Sequence, residues 1–236
     1  MTSRLPYAAP TVHWPRPVYV ASFPPRECGI ATFTRDLVTA IDRLSATPRG
    51  RIIAMNDPGG RYVYPPPVVW QVERDDPSSY SRAACYINGA GCDVLNVQQE
   101  YGLFGGVWGD DVFRLLDGVR CPAVVTMHTT LPEPDPALRS VTRELIARSA
   151  ATVVLARTAI DILVRDYGVD PTKVHFVPHG VPDVRPISPE AAKRALGFSG
   201  RPVLATCGLM NPGKGIEYAI DAVASLVDEF PNLVYL

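Results

Sequence analysis

Apolar runs of strand length alternate with segments of helical period along most of this chain. The predicted strands are Val18–Phe23, Arg51–Met55, Val68–Val72, Asp93–Gln98, Ala123–Met127, Ala151–Leu155 and Lys173–Val177. The predicted helices are Thr32–Leu44, Ser78–Ala90, Val107–Leu116, Pro136–Ser149 and Thr158–Tyr167. Wholly apolar strands are buried on both faces, and strands separated by helices pair in parallel. The sequence therefore predicts an α/β fold with a Rossmann-like parallel sheet.

A segment without any period, His179 to Pro189, interrupts this series with glycine and proline. A helix is predicted at Pro189–Leu196, and a strand, a glycine-rich turn and a helix follow within residues 202–223. We therefore expect one domain over residues 1–180, and a linker with the start of a second Rossmann-like domain over residues 181–236. The apolar run Asn232–Leu236 would be only the second strand of that domain. We expect the second domain to be incomplete and the chain to be an N-terminal fragment.

Composition excludes several classes of protein. A formal charge of -1 and a pI near 6.4 give no basic field, so we expect no nucleic-acid partner. Five cysteines without C-x-x-C spacing indicate reduced thiols and a cytoplasmic protein. No run approaches the ~20 apolar residues of a membrane helix, which leaves only peripheral contact with a membrane. The chain has neither D-x-D nor H-E-x-x-H, so we expect no metal and no other cofactor.

The turn that contains Gly208, Gly213, Lys214 and Gly215 is the strongest candidate for binding an anion. Glycines let backbone N–H groups approach a phosphate, and the following helix and Lys214 add positive charge. The spacing fits a P-loop except at Gly215, where that motif needs a serine or threonine hydroxyl for magnesium. The turn therefore suits a diphosphate. The alternative is a capped helix with a solvated lysine.

Three further candidates follow predicted strands, where parallel sheets bind their ligands. Gly29 permits a tight turn before a helix that Thr32 can cap, which leaves N–H groups free for an anion or a sugar hydroxyl. The alternative is a plain strand-to-helix connection in which Arg26 and Glu27 are solvated. Glu100 and Tyr101 offer hydrogen bonds and stacking to a polyhydroxylated ligand, or belong to an ordinary glycine-rich loop.

His128, at the end of a buried strand, is able to orient a sugar hydroxyl or transfer a proton, or it is structural.

Taken in order, these segments resemble the glycosyltransferases of family 4, the retaining enzymes of the GT-B architecture. The resemblance rests on five pieces, Cys28–Asp36, Gln99–Gly106, His128, Val177–Val181 and Gly208–Ala222. It implies two facing Rossmann-like domains, with the acceptor bound mainly in the first and a nucleotide-sugar donor in the second. Leu209 departs from the pattern, because many relatives carry an arginine there. The paired glutamates of the family have no counterpart in this sequence.

The resemblance implies a role for each candidate residue. Lys214 would bind the donor diphosphate, Gly29 would lie at the loop facing the donor, and His128 would act catalytically near the reacting sugar. Glu100 and Tyr101 are expected to contact the acceptor. The expected function is transfer of a sugar from a nucleotide-sugar to a sugar or glycan acceptor with retention of configuration, by a hexosyltransferase-type enzyme. We expect the 236-residue chain alone to be inactive. The alternatives are a non-catalytic Rossmann-like binding or interaction protein and, disfavoured by Gly215, a phosphate-loop nucleotidase.

Overall fold

A computed structural model describes residues 14–47, 49–181, 184–208, 210 and 214–236. It divides the chain into two compact units, Met1–Gly180 and Val181–Leu236, called here the first and the second unit. Among the described residues, no helix combines the length and apolar character needed to cross a bilayer.

The first unit is a seven-stranded parallel sheet with helices between most of its strands. Its strands are β1 (Pro17–Ala21), β2 (Arg51–Asn56), β3 (Val68–Glu73), β4 (Val94–Gln99), β5 (Ala123–Met127), β6 (Ala151–Val154) and β7 (Val174–Phe176). Its α-helices are α1 (Gly29–Asp42), α2 (Pro77–Gly89), α3 (Val112–Gly118), α4 (Pro136–Arg148) and α5 (Arg157–Tyr167). The predicted α/β fold with a Rossmann-like parallel sheet is confirmed.

The strand order, β3-β2-β1-β4-β5-β6-β7, determines where a ligand can bind. The chain proceeds outward from β1 to β3 and then returns to place β4 on the other side of β1. The connections after β1 and β4 therefore lead away in opposite directions and leave a crevice at the carboxyl ends of these strands. Open parallel sheets bind their ligands at such a point.

Different helices pack on the two faces of the sheet. Helices α2 to α5 pack on one face and form the larger core with residues such as Val20, Leu95 and Val97. Helix α1 packs on the other face, where Val38 contacts a smaller cluster that includes Tyr19 and Ile52. Because side chains alternate along a strand, β4 presents Asn96 and Gln98 on the face opposite Leu95 and Val97.

Helix α1 starts three residues before its predicted start. Its N-cap is Cys28, whose Sγ accepts a hydrogen bond from the N–H of Ala31 at 3.3 Å and lies 2.9 Å from the Ser22 hydroxyl. The prediction that Thr32 caps the helix is wrong, because a thiol performs that role and Thr32 lies inside the helix. Gly29 is the first helical residue and does not form the predicted tight turn.

The predicted helix Val107–Leu116 is also wrong in part. A short 3-10 turn, Val107–Gly109, precedes α3, and its own backbone is kinked at Trp108. Trp108 and Gly109 have left-handed backbones, with φ of 53° and 88°, which a continuous right-handed helix excludes. The Asp110 carboxylate accepts a hydrogen bond from the N–H of Val107 at 2.8 Å and stabilises the turn.

All five cysteines lie in the described part of the chain, and none forms a disulfide. Cys92 and Cys121, which precede β4 and β5, have their Sγ atoms 3.2 Å apart. Burial and the hydrogen bond with Cys121 raise the pKa of the Cys92 thiol to about 12. This thiol therefore stays protonated at neutral pH.

The second unit contains α6 (Pro189–Leu196), β8 (Val203–Leu204), α7 (Ile216–Ala224) and β9 (Val234–Tyr235). Strands β8 and β9 pair in parallel, as expected for a strand-helix-strand unit. The Ser188 hydroxyl caps α6 by accepting the N–H of Ala191 at 3.2 Å, and left-handed Gly197 ends that helix.

Candidate functional site

Three of the predicted site segments follow strands that are neighbours in the sheet. Gly29 begins the helix after β1, Glu100 and Tyr101 follow β4, and His128 follows β5. Because β1, β4 and β5 are adjacent and parallel, their carboxyl ends form one edge. The crevice between β1 and β4 lies at this edge, which we call the β1-β4-β5 edge.

His128 is fixed by both its backbone and its ring. Its N–H donates to the carbonyl of Gln99 at 3.0 Å, and its Nε2 lies 2.7 Å from the Oε1 of Gln98. The edge of the ring contacts Phe33 of α1, with centroids 4.7 Å apart and planes at 89°. Burial, with a smaller effect from His179, lowers the pKa of His128 to about 4. The ring is therefore neutral at pH 7, which suits it to hydrogen bonding with a substrate hydroxyl.

Glu100 connects the loops after β4 and β5. One carboxylate oxygen accepts a hydrogen bond from the Thr129 hydroxyl at 2.7 Å, and the other accepts from the N–H of Tyr101 at 3.0 Å. These bonds hold the carboxylate in one orientation beside the residue that follows His128. The arrangement is compatible with the predicted contact to an acceptor and equally gives Glu100 a role in fixing the loop.

Tyr101 lies against a cleft of about 490 Å³. The cleft is lined by Arg74, Asp75, Tyr101, Gly102, Phe104, Gly105, Gly106, Trp108 and Gly109. The ring of Tyr101 meets the edge of Trp108, with centroids 5.6 Å apart. Its hydroxyl oxygen is buried, and burial raises the pKa of Tyr101. Tyr101 therefore offers this cleft an aromatic surface.

In the loop after β1, Gly29 is accessible from outside the protein, whereas Arg26 is held by contacts within it. Gly29 is exposed, and no heavy atom lies within 4 Å of the position that a Cβ would occupy. The first N–H groups of α1 are thus approachable from outside. Arg26, by contrast, forms an ion pair with Asp57 and donates to the Met55 carbonyl at 2.9 Å, so the alternative of a solvated Arg26 is wrong.

Phe33, Gln98 and Thr129 also contribute to this edge, although the sequence did not single them out individually. For Gln98 a signal was available, because Asn96 and Gln98 alternate with Leu95 and Val97 in an otherwise apolar strand. The contact of Phe33 with His128 joins residues 95 positions apart and has no local signal.

The glycine-rich turn lies in the second unit. Gly208 has a φ of 139°, and Gly215, with a φ of 62°, is the left-handed N-cap of α7 without a side-chain cap. Lys214, directly before it, is exposed. Gly213 and Leu209 lie outside the described residues. Left-handed glycine and an exposed lysine at a helix start are compatible with anion binding, whereas Glu217 in the first turn of α7 opposes it electrostatically.

Within the described ranges, no group of three or more His, Cys, Asp or Glu side chains is arranged to hold a metal ion.

Two curated proteins share sequence with this chain. A mannosylfructose-phosphate synthase from Agrobacterium fabrum is 32% identical over 99 residues, which are 39% of this chain and 22% of that protein. A D-inositol 3-phosphate glycosyltransferase from Streptomyces bingchenggensis is 38% identical over 130 residues, which are 48% of this chain and 28% of that protein. The matched segments thus span about a quarter of these relatives.

Solved structures show the same fold at low sequence identity. A glycosyltransferase from Rickettsia africae ESF-5 matches with a TM-score of 0.62 at 10% identity, over 95% of this chain and 68% of that one. The lipopolysaccharide outer core galactosyltransferase WaaB matches with a TM-score of 0.53 at 7% identity, over 93% of this chain and 67% of that one. Both similarities concern the fold alone. The family model for Glycosyltransferase Family 4 matches residues 29–185, which is more than half of the chain, and the chain therefore belongs to glycosyltransferase family 4.

Proposed function

We propose that this protein transfers a sugar from a nucleotide-sugar donor to a hydroxyl of an acceptor, with retention of configuration. The observation that carries the proposal is the β1-β4-β5 edge, where the open start of α1, the fixed Glu100 carboxylate and the neutral His128 follow adjacent strands. Membership of glycosyltransferase family 4 supports the reaction class.

Departure of a nucleoside diphosphate builds negative charge on its phosphates while the sugar becomes oxocarbenium-like. In this proposal, Lys214 and the N–H groups around Gly208, Gly213 and Gly215 bind the diphosphate. Positive groups that are in place before the reaction stabilise this charge without reorganisation. The proposed role of Gly29 is to let the donor approach the N–H groups at the start of α1.

His128 contacts the transferred sugar in this proposal. With a pKa lowered to about 4 by burial, it is a hydrogen-bonding group and not a cation at pH 7. The chemistry assigned to these residues needs no metal, so transfer should continue in the presence of a chelator.

The acceptor side of the proposal uses the cleft beside Tyr101. Trp108 and Tyr101 provide aromatic surface for a sugar ring, and Arg74, which forms an ion pair with Asp75 in the same cleft, provides N–H donors. Both curated relatives are named for a sugar or polyol phosphate. We therefore propose a polyhydroxylated acceptor, either a sugar or a glycan, and a phosphorylated polyol is the first class to test.

The experiment is a transfer assay on the 236-residue chain and on a form in which the second Rossmann-like domain is extended beyond Leu236. Purified protein is incubated with a panel of nucleotide-sugars and with phosphorylated and unphosphorylated polyols, with and without a chelator. Proton NMR of the product gives the anomeric configuration. Transfer with the donor's configuration preserved is expected, whereas hydrolysis or binding without transfer across the panel would favour a non-catalytic binding protein.

The 236 residues alone are proposed not to transfer sugar at an appreciable rate. The matched segments cover only 22% and 28% of the curated relatives, and the described second unit offers two short strands beside its turn. A donor held by few contacts is poorly positioned, and positioning accounts for a large part of enzymatic rate. Turnover of any nucleotide-sugar by this chain at the rate of a longer form would contradict the proposal.

A further inference from the structure

The ring of His128 is hydrogen-bonded to the side-chain amide of Gln98 in β4, and that amide is in turn hydrogen-bonded to Asn96 of the same strand. Gln98 donates through Nε2 to the Oδ1 of Asn96, and its Oε1 lies 2.7 Å from the Nε2 of His128. Asn96 and Gln98 are two residues apart, so both lie on the same face of the strand. Gln98 is fully buried, at 0% exposure, and water therefore does not compete for its amide.

The bond to Asn96 determines which end of the Gln98 amide meets the histidine. Because the amide nitrogen is used toward Asn96, the atom that faces His128 is the carbonyl oxygen. A carbonyl oxygen only accepts, so the Nε2 of His128 has to carry the proton of this hydrogen bond. A neutral imidazole has one such proton, and Nδ1 then carries a lone pair.

We propose that Gln98, oriented by Asn96, fixes His128 as the Nε2–H tautomer and thereby makes Nδ1 a hydrogen-bond acceptor for a hydroxyl of the substrate. Gln98 is a positioning residue, since it acts through His128. The part that concerns the substrate rests on the proposed function. In the other tautomer, the lone pair of His128 Nε2 would face the Oε1 of Gln98, and neither atom would receive a hydrogen bond. Leaving two buried acceptors without a donor costs free energy.

The tautomer restricts what the ligand can present at this point. In the part of the chain that the structure describes, no protein group bonds to Nδ1 of His128. The lone pair of Nδ1 can accept a hydrogen bond from a ligand hydroxyl. An ether oxygen, a carbonyl or a fluorine at the same position of the ligand has no hydrogen to donate. The arrangement thus selects a substrate with a free hydroxyl at the position that meets His128.

The test is the tautomer of His128 in the 236-residue chain at pH 7, read from long-range proton–nitrogen NMR correlations with nitrogen-15-labelled histidine. The sequence has four histidines, and loss of one signal set in His128→Gln assigns this one. A single Nε2–H form is expected in the parent chain. Gln98→Leu should give a mixture or the Nδ1–H form, because the acceptor at Nε2 is gone.

Gln99→Leu is the matched control, because it makes the same change one residue later, on the opposite face of β4. Only the backbone carbonyl of Gln99 bonds to His128, so this variant should keep the Nε2–H form. An Nδ1–H form in the parent chain, or a tautomer unaffected by Gln98→Leu, would overturn the inference.

Gln98→Glu covers the case in which Gln98→Leu does not fold. A carboxylate retains an acceptor at Nε2 and favours the protonated ring, so the pKa of His128 should rise by about one unit or more. His179, across the ring of Phe33, is the neighbouring group whose charge must be followed in the same titration. An unchanged titration of His128 would contradict the contact. Since neither readout needs turnover, these results count for or against this inference alone, and absence of transfer counts against the proposed function.

Discussion

The β1-β4-β5 edge of the first unit and the glycine-rich turn of the second unit are both candidate ligand sites, but they are built differently. At the edge, His128 is held by a hydrogen bond to Gln98 of β4, and Glu100 is held by one to Thr129 in the loop after β5. At the turn, Lys214 is exposed, and left-handed Gly215 starts α7 without a side-chain cap. The side chains at the edge are already oriented by protein contacts, whereas Lys214, the lysine of the turn, is exposed.

This difference indicates which property each site should govern. Side chains that are buried in a hydrogen-bond network contribute to stability as well as to binding, because their removal leaves partners unsatisfied. An exposed lysine contributes little to stability and acts on a bound anion. Substitutions at the edge should therefore alter folding and function together, and substitutions in the turn should alter function alone.

The largest effect is expected from Lys214→Ala. In a form of the protein that transfers sugar, this change should lower the rate by ~10^2-fold or more, the usual loss when one preorganised contact to developing charge is removed. The thermal midpoint should not change, since the side chain is exposed. Arg194→Ala, an exposed cation in the last turn of α6, is the control. If calorimetry shows that Lys214→Ala binds the nucleoside diphosphate as tightly as the parent, the turn is a helix start and not a phosphate site.

The second effect concerns pH and the stability of the first unit. Burial lowers the pKa of His128 to about 4, so the unfolded chain takes up its proton first as the pH falls below the ordinary value of 6.5. The free energy of unfolding should therefore decrease between pH 6.5 and 4.5 by about 1 to 3 kcal/mol. Tryptophan fluorescence follows this unit, because Trp14, Trp70 and Trp108 all belong to it.

His128→Gln should remove most of that slope, and His175→Gln, at an exposed position of β7, should keep it. Carboxylates interfere little in this range. Hydrogen bonds and ion pairing lower the pKa of Asp76 and of Asp166 to about 2, so their contributions are lost only as the pH falls below about 4. A slope that survives His128→Gln would show that the edge does not hold a buried neutral histidine.

A smaller effect is expected from His128→Ala on transfer. Loss of one neutral hydrogen bond to the substrate costs about 1 kcal/mol, which is a reduction of roughly five- to tenfold in kcat/KM. Binding of the free nucleoside diphosphate should change less than in Lys214→Ala, because His128 is proposed to contact the sugar. Equal losses of diphosphate affinity in the two variants would contradict the separate roles of edge and turn.

The smallest effect is expected at the N-cap of α1. Cys28→Ala removes the acceptor for the N–H of Ala31 and should destabilise the first unit by about 0.5 to 1 kcal/mol. Cys28→Ser should restore or exceed the parent stability, since a hydroxyl is the better cap. Denaturant unfolding measures both variants, with Cys85→Ala at an exposed position of α2 as the control. Equal stability of the alanine and serine variants would show that the N-cap hydrogen bond does not stabilise the first unit.

Local sequence predicted most elements but missed two details of the edge. The strand β5 and the helix Pro189–Leu196 have the predicted bounds, because apolar periodicity and proline or glycine boundaries are properties of neighbouring residues. The cap at Cys28 was missed because cysteine is an uncommon N-cap. The kink at Trp108 was missed because a left-handed bulky residue has no favourable local signal.

The sequence by itself determined the α/β class, the positions of the candidate residues after strands, and the glycine-rich turn with Lys214. Only the tertiary structure decided that β4 lies between β1 and β5, and hence that Gln98, Phe33 and His128 come together. It also decided that His128 is buried enough to remain neutral. Periodicity and turn chemistry depend on adjacent residues, whereas strand order, burial and the pKa of a side chain depend on residues that are distant in the chain.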